Sequence, residues 1–141
     1  LPLPEPKPGL VIRYDYLWAR ESRAGSSYGK ERPACLVATS APSIQPGFVV
    51  LLPITHSPPD ANTIAIEIPR PVRQMLGLDD APSGAIVSEY NVDSWPSAGL
   101  APLPGKPDVF SYCFVPPSLF ASIKEKFLEQ TKQGAKAVDR R

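Results

Sequence analysis

Two short polar clusters stand out as places where chemistry could sit. The first is Lys30, Glu31 and Arg32, followed by Pro33; the second is Thr55 and His56, after Pro53 and Ile54. His56 is the single histidine, so an acid–base pair of two histidines within one chain is excluded. An imidazole titrates in the range useful to catalysis, so His56 is a candidate general acid or base; equally, it could cap a turn before Ser57 and Pro58. No HExxH, CxxC or paired-carboxylate spacing is present, so no metal site and no cofactor is expected. GxSxG and glycine-rich phosphate loops are also absent.

Each cluster falls at the end of an apolar stretch. Residues 10–16 (LVIRYDY) alternate as a strand does, and 33–39 (PACLVAT) form a second that opens on proline. Residues 48–54 (FVVLLPI) are apolar on both faces, which predicts a central strand. Further strands are expected at 63–68, at 84–93 (one strand or a bent pair) and at 109–114. The stretches 19–32 and 94–107 read as loops, with one helical turn within 69–77 stopped by Gly77. Leu119, Phe120, Ile123, Phe127 and Leu128 recur at helical spacing, so a helix is expected to begin at Pro116, Pro117 or Ser118 and to close the domain.

Composition bounds the class. Nineteen of 141 residues are proline, against a usual share of about 5%. Proline is costly inside helices and central strands, so a helical bundle is excluded. The hydrophobic fraction of 43% and charged fraction of 21% are ordinary for a globular domain. The expected fold is mostly β, a small barrel of about five to seven short strands with one C-terminal helix. Residues 1–9 read as a flexible proline-rich tail, 10–131 as the single domain and 132–141 as a frayed basic tail. A net charge of +1 gives little long-range attraction for nucleic acid. No apolar run approaches a membrane span, and residues 1–9 lack a signal-peptide pattern. A cytoplasmic protein is expected, with Cys35 and Cys113 as two buried thiols rather than a disulfide.

Aromatic and basic residues interleave early in the chain. Tyr14, Tyr16, Trp18 and Tyr28 lie among Arg13, Arg20, Arg23 and Lys30, a composition that could stack unpaired bases. Alternation makes Tyr14 and Tyr16 core residues, which leaves Trp18 and Tyr28 as the base-stacking or partner-binding candidates.

GKERPACLVAT, followed after a short gap by VVLLPITHS, resembles the MazF/PemK family of endoribonuclease toxins. PGLVIRYDY, IAIEIP, LGLDDAPSGAIVSEYNVD and the closing helix fit the same order, so the resemblance spans roughly residues 9–130. It implies an SH3-like barrel, usually a homodimer, whose Arg and Thr carry catalysis; these correspond to Arg32 and Thr55. It implies attack of a 2′-OH on the adjacent phosphate of single-stranded RNA without metal, and neutralisation by a cognate antitoxin peptide. Arg32 would then offer fixed fork donors to phosphate oxygens and Thr55 a hydroxyl. Its role is expected to be charge stabilisation, because an arginine pKa exceeds about 12. His56 departs from the family pattern, where a small polar residue is usual. Glu89 falls near an acidic strand-end position of the family, or is simply solvated. Rival readings are a non-catalytic binding module on the same barrel, gyrase-inhibitor-like or regulatory, and a small barrel that binds only a peptide.

Overall fold

The computed structural model describes residues 3–58 and 60–141; Leu1 and Pro2 of the expected tail, and Pro59 of the expected chain break, lie outside them. Twelve elements follow in order: β1 (Leu10–Tyr16), α1 (Ala19–Arg23), β2 (Lys30–Thr39), β3 (Gly47–Thr55), β4 (Ala65–Ile68), α2 (Arg70–Leu76), β5 (Ser83–Ile86), β6 (Glu89–Trp95), β7 (Leu100–Ala101), β8 (Ser111–Phe114), α3 (Pro117–Lys132) and β9 (Lys136–Asp139).

Among the described residues nine strands form one sheet, and it is open. The main path runs β4-β5-β3-β2-β1-β7, with β6 and β9 branching from β3 and β8 from β1. All ladders are antiparallel except β6–β9. The expected SH3-like barrel is therefore corrected. Closure needs a ladder between the two edges, whereas among the described residues β4 pairs only with β5, and β7 and β8 pair only with β1. Proline blunts the β7 edge: Pro102 follows its two residues at once and has no N–H to extend a ladder. Among the described residues there are three helices, not one.

The β1–β2–β3 sheet carries an apolar core on each face. Alternation in β1 sends Leu10, Ile12, Tyr14 and Tyr16 to one core and Val11 to the other. In β3, Val49 and Leu51 join the first while Leu52 and Ile54 join the second, the two-sided burial that its unbroken apolar run predicts. Ile123 and Phe127 of α3 cover the second core. Pro117 stands in the first turn of α3, where no N–H partner is needed. Leu128, expected in the apolar stripe of that helix, is exposed. Gly77 ends α2 with φ of 77°, the left-handed conformation that favours glycine.

Several local expectations change. The loop expected over 19–32 contains α1 and the first residues of β2. The residues expected to fray include β9, which pairs in parallel with β6 and buries Val138 against Leu17 and Ala19. Gly9, at the end of the expected tail, is tied down: its N–H donates to the Leu36 carbonyl at 2.7 Å. Cys35 is buried, but Cys113 is exposed, and both thiols are free. Val11 pairs with Cys35 on one side and Cys113 on the other. Two strand spacings of about 4.8 Å each separate the cysteines, beyond the ~7 Å limit of a disulfide. Among the described residues no helix is long and apolar enough to cross a membrane.

Candidate functional site

The site arises where β2 and β3 part. Their ladder ends at Ala34 and Pro53. Beyond it Ile54 and Thr55 pair with Ala85 and Gly84 of β5, while Lys30 to Pro33 pair only with β1. The two strand ends therefore splay apart. A cavity of about 470 Å³ opens there, within the range of small-ligand pockets. Lys30, Glu31 and Arg32 stand on one jaw and Thr55 and His56 on the other. Both polar clusters read from the sequence are thus brought together.

Other residues complete the walls, and sequence reasoning gave most of them no role. Asp79 lies beyond α2, and Lys106 and Tyr112 flank the turn before β8. Arg13, from β1, donates to the Tyr112 hydroxyl at 3.2 Å and to the Glu31 carbonyl at 3.3 Å. The Arg13 guanidinium also approaches the Glu31 carboxylate at 3.9 Å. Lys106 sits in a proline- and glycine-rich stretch with no periodicity, so no local signal marks it. Arg13 had one: with Asp15, it is a charge on a strand whose other residues are buried. The cavity holds the cations Arg13, Lys30, Arg32 and Lys106 against the carboxylates Glu31 and Asp79, an excess that favours an anionic ligand.

Arg32 differs from the two exposed lysines in being packed against the protein. It is half-buried, and its Nε is buried with no hydrogen-bond partner among the described residues. Burial lowers its pKa from the usual arginine value, with Glu21 and Tyr16 opposing; it remains a cation. Its guanidinium carbon lies 5.1 Å from the centre of the Trp18 ring, a cation–π contact. Trp18 in turn stands edge-on to Tyr16 with ring centres 5.2 Å apart.

Thr55 and His56 are more fully engaged. The Thr55 hydroxyl donates to the Ser57 carbonyl and accepts from the Ser57 N–H, both at 3.2 Å, which shapes the turn after β3. His56 Nε2 lies 2.9 Å from Asp79 Oδ2, and Nδ1 lies 3.0 Å from the Pro82 carbonyl. Both partners can only accept, so a ring that donates to both is doubly protonated. The Asp79 carboxylate, then the Pro82 carbonyl, raise the His56 pKa above the usual value, and His56 lowers that of Asp79. His56 therefore ties the 79–82 turn to the end of β3, whereas the turn before Pro58, which it could have capped, is bonded by the Thr55 hydroxyl. General acid–base work would require it to release a partner.

The remaining sequence candidates are dispersed. Trp18, read as a loop platform for bases, is only 4% exposed and cannot stack on a ligand. Glu89 is buried rather than solvated: its Oε2 accepts from the Tyr16 hydroxyl at 3.1 Å and from the Ala19 N–H at 2.9 Å. Burial raises its pKa against these hydrogen bonds. Arg20 and Arg23 are exposed on α1 and line neither this cavity nor its neighbour. Tyr28 is 75% exposed and lines a second cavity of about 580 Å³ beside the first. Among the described residues no group of three or more His, Cys, Asp or Glu side chains is placed to hold a metal ion.

No family model matches the chain, and no curated protein matches it. The toxin–antitoxin and nuclease signature read in GKERPACLVAT and VVLLPITHS is accordingly corrected: no family model carries it, and the barrel it implied is an open sheet.

Proposed function

We propose that the Arg32 cavity binds a phosphodiester of single-stranded RNA and promotes attack of the neighbouring 2′-OH on it. The observation that carries this reading is the half-buried Arg32 guanidinium at the edge of the cavity, held over the Trp18 ring. A phosphate oxygen is the acceptor such a fork fits. Lys30, Lys106 and the His56 cation add to the field around it. In the reaction the 2′ oxygen bonds to phosphorus as the bond from phosphorus to the 5′ oxygen breaks. The 2′-OH gives its proton to solvent, and the departing 5′ oxygen takes one from solvent, giving a 2′,3′-cyclic phosphate and a 5′-hydroxyl. Arg32 stabilises the charge gathering on the phosphorane oxygens.

A second reading is binding without cleavage. It is favoured by the engagement of Thr55 with Ser57 and of His56 with Asp79, which leaves fewer groups free to move protons. The free thiols of Cys35 and Cys113 fit a reducing compartment, and we place either activity in the cytoplasm. Incubation with mixed-sequence single-stranded RNA in EDTA, with Arg32→Ala alongside, decides between the readings. Cleavage to cyclic phosphate ends that falls about 100- to 1000-fold in Arg32→Ala supports the enzyme. Retention of RNA without cleavage supports the binding module.

A further inference from the structure

We propose that the second cavity is a base-binding subsite for the nucleotide adjoining the phosphodiester, with Tyr28 as its stacking platform; this rests on reading the first cavity as a phosphodiester site. Arg13, Lys30 and Glu31 line both cavities, so the two lie side by side. A strand whose phosphate sits at Arg32 can lead its next nucleoside into the neighbouring cavity.

The second cavity suits a planar ring. Its floor is built from small residues, Gly29, Ala98, Gly99 and Ala101, which leave the backbone bare. Packing below keeps two of them small: a Cβ on Gly29 would lie 1.9 Å from the Tyr16 carbonyl oxygen, and one on Gly99 would lie 2.8 Å from Tyr14 Cε1. Tyr28 stands at the rim, a large and strongly exposed aromatic with no ring partner among the described residues.

Its flanks are anchored. The Gly29 N–H donates to Asp15 Oδ1 at 2.8 Å, and Arg140 donates to the Ser27 carbonyl at 3.2 Å and to Asp15 Oδ2 at 3.3 Å. The segment on either side of Tyr28 is thus tied to β1 and to the chain after β9. A ring held in this way loses less freedom on stacking than one on a loose loop. Single-stranded RNA fits because a base can stack only when unpaired. Stacking tolerates any base, so the subsite would set a minimum ligand length rather than a sequence.

The test compares two probes on the full chain: inorganic phosphate, and a 2′-O-methyl tetranucleotide that cannot be cleaved. Tyr28→Ala is expected to weaken tetranucleotide binding by about 5- to 150-fold and to leave phosphate binding unchanged. Tyr28→Phe keeps the ring and should stay within about twofold of the parent. Tyr28 is exposed, so neither change threatens the fold. If Tyr28→Ala binds the tetranucleotide like the parent while Arg32→Ala loses it, the subsite is wrong and the phosphodiester site stands. An equal loss in Tyr28→Phe and Tyr28→Ala overturns stacking. If the parent binds neither probe, both readings fall.

Discussion

The Arg32 guanidinium lies over the buried ring of Trp18, 5.1 Å from its centre, so a core side chain supports a residue that lines the candidate site. Arg32 emerges from β2 just before Pro33, which disfavours helical backbone at Arg32 and keeps the strand extended there. The ring beneath then limits where the guanidinium can rest. An exposed arginine would sample many rotamers before meeting a phosphate; this one is already placed.

Trp18→Leu keeps apolar bulk and removes the π face. A partly desolvated cation–π contact is worth about 0.5–2 kcal/mol. The variant should therefore bind inorganic phosphate or cleave RNA about 2- to 30-fold less well than the parent. Calorimetric titration and an initial-rate assay measure the two effects. An unchanged affinity in a folded variant would show that the ring does not position Arg32.

The His56–Asp79 pair makes a pH prediction whose sign follows from the raised histidine pKa. The folded value lies above the unfolded value, so the pair's stabilisation is complete below about pH 6.5 and fades as pH rises through the folded value. The imidazole side chain is 48% exposed, so the gain is at most about 1 kcal/mol. An NMR titration should place the His56 midpoint above 6.5 and show it falling in Asp79→Asn. A midpoint that ignores this substitution would remove Asp79 as the cause.

Asn91 joins β6 to the end of β1 through two backbone groups. Its Oδ1 accepts from the Leu17 N–H at 3.0 Å, and its Nδ2 donates to the Leu17 carbonyl at 2.8 Å. Asn91 is fully buried, so Asn91→Ala strands both groups and should cost about 2–5 kcal/mol. Denaturant unfolding measures the loss, and a change below about 0.5 kcal/mol would mean that water or a shift of the chain satisfies them.

These polar contacts mark where legibility in the sequence ended. Local patterns carried the strands at 10–16 and 48–54, the helix from Pro117 and the stop at Gly77, because alternation, helical spacing and turn chemistry act over a few residues. The two halves of the site were legible as polar clusters ending apolar strands. Glu89, Asn91 and Asp93 were not legible as buried residues. Alternation along β6 places them opposite Tyr90 and Val92, the side that reads as solvent. Their partners Tyr16, Leu17 and Tyr14 lie 73, 74 and 79 positions away. Whether a sheet closes or stays open is equally non-local, and β9 offers a single buried apolar residue, Val138, to announce a strand. The part played by Trp18 was missed for the same reason: its neighbour Arg32 is close only after β1 and β2 pair.

The cysteines should differ sharply in reactivity. Burial pushes the Cys35 thiol up to about 12, while Cys113 is exposed. Only thiolate reacts, so a thiol-specific reagent should label Cys113 in the native protein and Cys35 only on unfolding. Mass spectrometry of the labelled peptides reads this directly. Rapid labelling of Cys35 under native conditions would contradict its place in the core.

The central claim is that Arg32 stabilises attack of a 2′-OH on the phosphate it holds. A DNA oligonucleotide carrying one ribonucleotide tests it most directly, because only that sugar has the nucleophile. A single cut is expected on the 3′ side of the ribonucleotide, ending in a 2′,3′-cyclic phosphate and slowed about 100- to 1000-fold in Arg32→Ala. Cuts at deoxynucleotides, no cut at all, or an equal rate in Arg32→Ala would contradict it.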